Sequence, residues 1–579
     1  MGLVNSALQI GRSALETYQS ALQVMGNNVG NAGNEDYTRQ TAGLSAVSGT
    51  PLPQGMQPGA GVALNELKRN LDESLENRLR AAIGNLESAE TQQLSLGRVE
   101  ALFDESTGVG VANRLNEFFN SFSDVQNYPA DLAMREITLA EGADLTRSLS
   151  QLREELQALA EDLDDQIGDL VIQADELATQ IAALNSEITA AEAGLPSSAN
   201  ALRDQRDALV RDLSEIFDVT VRHQPDGSTY VYVGSEPLVM GGVSRGLTTR
   251  QTADGEFART VVHFADGSAA GSPVSVRGGQ LGGLIAARDT QVSGPIDGLD
   301  ELAAALIFEV NRLHADGQGT EGFSSLTGTY KVQDTTAALT SDDAGLLFSP
   351  RNGSFFIAVA DDATGTALAY QIDVDLDGIG DDTSLESLVA GINDAVSGVT
   401  ASITVDNRLS LAADTGYTFS FGHDGEQARE DTSDVLAVLG VNTFFEGTSA
   451  ADIAVREDLS SSPARLAAAT VGFDGDGSNA GRLAELATQA VDTLGGLSLT
   501  ERYRQVANDV AVAGATVNAD VEAAGAVLAA LQAQKESISG VSLDEEALEM
   551  LKLERAYQGA ARYVVTVDQM MSELLALVR

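Results

Sequence analysis

At 579 residues the chain is too long for one ordinary domain, so several domains of about 100–200 residues each are expected. Hydrophobic residues make up 43%, enough for packed cores, while aromatics are only 5% and tryptophan is absent, a balance that favours long Ala- and Leu-rich helices. The 85 acidic against 35 basic residues give a formal charge of −50, which repels phosphate backbones and anionic lipid and makes nucleic acid and membrane surfaces poor partners. No apolar run approaches the roughly 18 residues of a spanning helix. Cysteine is absent, which excludes a disulfide framework and suits a chain that travels unfolded. The opening Met1-Gly2-Leu3-Val4-Asn5-Ser6 has neither a basic segment nor a cleavable apolar core, so export by a signal peptide is not expected.

Helical periodicity starts at once. Leu3, Ala7, Ile10, Ala14, Thr17, Ala21 and Val24 step by four and three, and the helix is expected to stop near Gly26-Asn27-Asn28, with irregular chain to Asn34. Pro51, Pro53 and Pro58 mark residues 49–61 as a loop or linker. A long helix is expected from about Leu67 to Phe103 and another from about Phe118 to Tyr128. The strongest pattern follows. Leu145, Leu149, Leu152, Leu156, Leu159, Leu163, Gln166, Leu170, Ala174, Leu177, Ile181, Leu184, Ile188 and Ala191 keep a seven-residue repeat, which implies a coiled-coil-like helix of about 70 Å with polar Gln166 on its seam. A further helix runs through Leu202–Phe217.

From Val219 the period becomes two, and the Pro225-Asp226-Gly227 turn predicts a hairpin. Helix resumes over Leu281–Leu313 with a break at Gly294-Pro295; residues 320–450 are β-rich, and Gly481–Arg579 is helical with interruptions near Gly495 and Gly540. The fold class expected is α+β and multidomain, with a long α-helical coiled-coil stalk formed by both chain ends, a helical body and inserted β-rich domains. The corresponding segments are 1–48 with 536–579 for the stalk, 49–320 with 451–535 for the body (β-rich insert at about 219–280), and 321–450 for an outer β-rich domain.

The last helix carries a seam of Leu543, Met550, Leu553, Tyr557, Ala560, Val564, Val567, Met571, Leu574 and Val578, opened by a capping box of Ser542 and Glu545. An apolar terminal helix needs a partner, and the matching stripe of Leu3, Ala7, Ile10, Ala14 and Val24 is the best candidate. The expectation is an assembly surface in which the two helices meet only in the polymer, with an ordinary internal bundle as the alternative.

No catalytic, cofactor or metal residue is expected. The four histidines have no cysteine and no close partner, which argues against zinc, and His314 reads as a packing or capping residue at a helix end. Gly242-Val243-Ser244-Arg245-Gly246 has the spacing of a nucleophile elbow but leads into a strand-like run rather than a helix. Asp373-Val374-Asp375-Leu376-Asp377-Gly378 supplies half a calcium loop, with Asp381 at the ninth position, but Ser384 stands where a bidentate glutamate is needed; a turn, then a helix capped by Thr383 and Glu386, accounts for it better.

Asn27-Asn28-Val29-Gly30-Asn31-Ala32, followed by Tyr37-Thr38-Arg39-Gln40, resembles the segment after the first helix of flagellar axial proteins, with Gly33-Asn34-Glu35-Asp36 where Thr-Pro-Gly is common. Ser539–Glu546 and Glu554–Arg562 resemble the axial C-terminal signature. Inside the chain, Leu202-Arg203-Asp204-Gln205-Arg206-Asp207, Gly282-Gly283-Leu284, Asn311–Gly317 and Ala450–Val455 resemble one branch, the first hook-associated proteins of the hook–filament junction. The resemblance implies a non-enzymatic flagellar subunit without cofactors, exported unfolded through the flagellar type III apparatus. It implies a homo-oligomeric layer at the hook tip, outside the cell, between hook protein and the second junction protein (hook-associated protein 3), and an export chaperone on the C-terminal helix. It also adds Asn28 and Tyr37 to the expected assembly surface. A non-flagellar secreted coiled-coil adhesin is the alternative.

Overall fold

The computed structural model describes residues 2–34, 36–49, 59–105, 110–193, 198–254, 257–265, 273–424, 427–471 and 475–577. It is a mixed α+β, multidomain fold that divides into two compact units: residues 1–95, 162–288 and 515–579 form the first, and 96–161 with 289–514 the second.

In the first unit the N-terminal helix, Gly2–Gly30, runs a turn beyond the expected stop at Gly26. Its extra turn is held from outside: Asn28 is buried, donates from Nδ2 to the Gln40 carbonyl at 2.8 Å and accepts from the Gln40 N–H at 3.1 Å. Gly33, at φ +90°, then turns the chain. Where only linker was expected, antiparallel strands Gln40–Ser48 and Gly59–Arg69 pair, with register breaks at Gly43/Leu44 and Ala46/Ser48. Small residues and these bulges blur the two-residue alternation that would have betrayed the strands. The helix expected from Leu67 begins instead at Glu73, because Asp72 Oδ1 accepts from the Ser74 and Leu75 N–H groups at 3.0 and 3.1 Å and caps it there.

One helix of 60 residues, Leu132–Ala191, carries the long repeat. Leu145, Leu149, Leu152, Leu156, Leu159 and Leu163 are buried as the repeat predicts, but the buried face continues through Ile167, Val171, Ala174, Ala178, Ile181, Asn185 and Ile188. Gln166 is exposed, and Leu170, Leu177 and Leu184 are only half-buried. Three successive steps of four (159, 163, 167, 171) break the alternation of four and three, since a straight helix of 3.6 residues per turn drifts away from a strict seven-residue seam.

The polar residue on the buried face is therefore Asn185. Its Nδ2 donates to the Thr229 and Gly241 carbonyls, both at 2.8 Å, and its Oδ1 accepts from the Thr229 N–H at 2.9 Å and from Arg206 Nη1 at 3.1 Å. These bonds fasten the helix to a four-stranded sheet of Val219–His223, Thr229–Val233, Glu236–Met240 and Val243–Ser244. Its first hairpin pairs Val219 with Val233 and His223 with Thr229 around the Pro225-Asp226-Gly227 turn, where Gly227 takes φ +86°.

A π-helical turn, Ala287–Val292, precedes the helix Ser293–Ala315 of the second unit. The irregularity thus lies just before Gly294-Pro295. Two three-stranded sheets and the helix Leu385–Ala395 enclose a core that includes Phe355, Ile357, Leu388, Leu411, Phe419 and Phe421. That helix is capped by Ser384 with Ser387, not by Thr383 with Glu386; the Thr383 hydroxyl instead accepts from the Asp375 N–H at 2.9 Å. The few aromatics are concentrated. Phe118 on the helix Val111–Asn127 meets Phe444 edge-on at a ring separation of 5.4 Å, Phe122 packs on Phe444 at a tilt, and Phe444 meets Phe445 edge-on at 4.7 Å. Asn311 secures that pair by accepting from both their N–H groups, at 2.9 and 2.8 Å.

Two buried groups nearby titrate in opposite senses. His314 bonds the Asn442 carbonyl through Nδ1 at 2.7 Å and accepts the Ala467 N–H at Nε2, and burial pushes its pKa down from 6.5 to about 4. Asp316 accepts the Asp431 N–H at 2.6 Å with Arg482 3.5 Å away, and burial pushes its pKa up from 3.8 to about 7. His314 contributes stability that is present above pH 6.5 and lost as pH falls toward about 4; Asp316 contributes stability that is present below pH 3.8 and lost as pH rises through about 7.

Asp316→Asn, which keeps an acceptor for Asp431, should therefore be more stable than the parent at about pH 8 and lose that advantage by about pH 4. Denaturant midpoints measured across this range check it, and a parent–variant difference that does not change with pH contradicts it. Asn185→Leu should cost about 3 kcal/mol or more, because two carbonyls, an N–H and a guanidinium lose their partner in a dry site. A loss below about 1 kcal/mol in urea unfolding would show that these groups find other partners.

Candidate assembly surface

The two chain ends lie against each other within a single chain. Ala21, Met25 and Leu553 are buried together, with Tyr18, Leu22, Val24 and Met550 packed on them. Further along, the absence of a side chain at Gly11 admits the last helix, Leu543–Leu577: a Cβ there would collide with Val564 Cγ2. The N-terminal helix also rests on the strand pair, with the Thr17 hydroxyl donating to the Val62 carbonyl at 3.0 Å.

A polar junction locks the pair at the start of the last helix. The Glu546 carboxylate is fully buried, accepts from Asn28 Nδ2 at 2.9 Å and pairs with Arg39 Nε at 2.7 Å. Asn28 Oδ1 in turn accepts the Tyr37 hydroxyl at 2.6 Å, and burial pushes the Tyr37 phenol up to about 12. A buried carboxylate is tolerable only when paired and hydrogen-bonded in this way. The expected capping box is half made: Ser542 Oγ accepts from the Glu545 N–H at 3.4 Å, but the Glu545 carboxylate goes to Arg39 Nη1 at 3.0 Å. Arg39 and Glu546 were not singled out from the sequence. Their signal was opposite charge inside two signature segments more than 500 positions apart.

Of the residues expected on the assembly surface, Val567 is 1% exposed, while Ala7, Ile10, Ala14, Val24, Ala560, Val564 and Met571 are half-buried. Asn28 is buried and Tyr37 half-buried in the polar junction. Leu543, Tyr557 and Leu574 are exposed. Leu3 lies in the first helix with its side chain outside the described residues, as does Val578 altogether. The seam was expected to close only in the polymer. It closes inside one chain, because Gly11 and the Asn28–Glu546 contact let the two backbones approach. Apolar surface is nonetheless left over, for Leu548 is 62% exposed and Leu551 53%, and Val565, Met570 and Leu575 are exposed too. The two helices Leu499–Ser539 and Leu543–Leu577 hold, by length and composition alone, a segment apolar enough to cross a membrane, and most of it is uncovered in the chain.

The interior motifs are structural fasteners. Arg69 pairs with Asp204 at 3.1 Å and with Asp207, Arg203 pairs with Glu192 at 2.7 Å, and fully buried Arg206 donates to the Gly227 carbonyl at 2.9 Å. Ser244 lies on a short strand followed by another, Leu247–Asp254, so the strand-to-helix turn of a nucleophile elbow is not formed there. The acidic loop brings together Asp375, Asp377 and Asp382 rather than Asp373 and Asp381, with exposed or half-buried carboxylates.

Three family models match the chain: flagellar hook-associated protein FlgK helical domain over residues 96–328, flagellin hook IN motif over 360–415, and flagellar basal body rod FlgEFG protein C-terminal over 532–577. Flagellar hook-associated protein 1 of Escherichia coli is 26% identical, and that of Salmonella typhimurium 25%, each alignment covering 99% of both chains. The chain is thus similar to flagellar hook-associated protein 1 over its whole length, and its helical body matches that family's helical-domain model. The Bacillus subtilis member is 26% identical over 38% of the chain and 44% of its own length. The solved structure of the flagellar hook junction protein from Burkholderia pseudomallei shares the fold, with a TM-score of 0.52 at 18% identity, over 80% of this chain and 100% of that one. The chain is accordingly a structural component of the flagellum that assembles with hook components.

Amides in 14–25 and 550–567 should exchange slowly in the isolated subunit. Val564→Asp should abolish that protection while the main melting transition stays within about 2 °C of the parent, because the cores of the two units lie elsewhere. Fast exchange of both segments in the parent would show that the helix pair does not persist in solution.

Proposed function

We propose that this chain is a non-enzymatic subunit that polymerises at the hook tip, outside the cell, and joins the hook to the filament. The observation that carries this reading is the convergence of both chain ends on the buried Asn28–Glu546–Arg39 junction, with the last helix still exposing Leu543, Leu548, Leu551, Tyr557 and Leu574. A helix that is apolar on more than its paired face calls for further partners. Those partners are copies of the same chain in a ring or helical layer, hook protein on one side and the second junction protein (hook-associated protein 3) on the other. In the cytosol an export chaperone covers the last helix before passage through the flagellar type III apparatus. Segments 1–48 and 536–579 act as the assembling stalk, and 321–450 as the outward domain. Likeness to hook-associated relatives over the whole chain disfavours a non-flagellar adhesin.

Deleting the gene should leave cells with hooks but no filaments and with filament protein shed into the medium. The restored protein, labelled with antibody, should lie between hook and filament by electron microscopy. Normal filaments on the deleted strain, or label spread along the filament, would refute the assignment.

A further inference from the structure

Beside the polar junction, the first unit contains an open cavity of about 750 Å³ walled by the segment after the first helix, the 60-residue helix and the helix Asn200–Ile216. Its floor is apolar, with Leu184, Ala208 and Leu209, and amides such as Asn31 and Gln180 stand around it. The two carboxylates in its wall are neutralised from outside, Asp36 by Arg211 at 2.6 Å and Asp204 by Arg69 at 3.1 Å. We infer that this cavity receives the exposed Leu548–Leu551 edge of the last helix from a second copy of the chain.

Three observations support that occupant. The first is electrostatic. A chain of charge −50 repels its own copies over most of its surface, so a self-contact belongs where charge is cancelled, and the cavity offers amides and alkyl groups with its carboxylates already paired. The second is complementarity: an open apolar floor and an uncovered pair of leucines, 62% and 53% exposed and one helical turn apart, belong to the same unit. The third is rigidity. Tyr37 forms part of the cavity wall and bonds Asn28, which bonds Glu546 in the first turn of the helix that carries Leu548 and Leu551. Receptor and ligand surfaces are thus held at a fixed offset. Two different, mutually complementary patches at a fixed offset make heterologous, head-to-tail contacts, which close into rings or continue as helical layers. The inference rests on the reading of the chain as a polymerising junction subunit and names the contact that repeats in it.

The chain has no cysteine, so introduced pairs report cleanly. Ala208→Cys combined with Leu551→Cys should give a ladder of disulfide-linked multimers when isolated flagella are oxidised, and neither single variant should do so. Flagella that carry the double variant but yield no ladder overturn the inference while leaving the junction reading intact; absence of even the parent chain from flagella overturns both. As a second measure, Ala183→Trp, a substitution at an exposed position in the cavity wall, should lower the number of filament-bearing cells about tenfold or more without changing monomer melting, by filling the space the neighbour needs. Unchanged filament numbers would overturn the inference as well.

Discussion

The arrangement of the first unit depends on one buried carboxylate. Glu546 begins the last helix, yet its partners, Asn28 and Arg39, come from the segment that follows the first. Removing either partner would leave a charge in a dry site, a cost large against the few kcal/mol that separate folded from unfolded chains. The junction therefore works as a register pin. Apolar contact alone would let two smooth helices slide along each other, whereas the Glu546–Asn28 bond, with Val564 seated over Gly11 further along, allows one alignment.

The same device recurs through the molecule. Asn185, Asn311 and Asn442 each use an amide side chain to satisfy backbone groups far away in sequence, and Asn442 alone donates toward the carbonyls of His314, Ala315 and Gly317 at 3.3, 3.2 and 2.9 Å. Arg206 and Arg135 do likewise with buried guanidinium groups; Arg135 donates from Nε to the Pro129 carbonyl at 2.9 Å and from Nη1 to that of Leu466 at 2.5 Å. A chain poor in aromatics gains less from ring packing, and directional bonds of this kind specify how long helices and small sheets meet. This explains why the interior motifs that resemble the family's are rich in Asn, Asp and Arg.

Charge and assembly pull against each other. A net charge of −50 favours solubility and disfavours polymerisation, so association has to be concentrated on uncharged ground. The charge-cancelled cavity beside Tyr37 is such ground, and on the last helix Glu549, between the exposed leucines, is paired with Lys552 at 2.8 Å.

The sequence by itself determined the helices whose apolar spacing is long and regular, the hairpin around Pro225-Asp226-Gly227, and the kinship carried by the signature segments at both ends. Local periodicity and turn chemistry suffice for these, because they depend on residues within a few positions of each other. Tertiary structure alone decided the rest. The strands Gln40–Ser48 and Gly59–Arg69 were hidden by small residues and bulges, and the last turn of the first helix exists because Gln40 holds Asn28. The seam of the 60-residue helix shifted from Gln166 to Ile167, since which face is buried is set by the partner and not by the repeat. The pairing of Arg39 with Glu546 depends on two segments at opposite ends of the chain, and no local pattern records which distant charge a residue will meet.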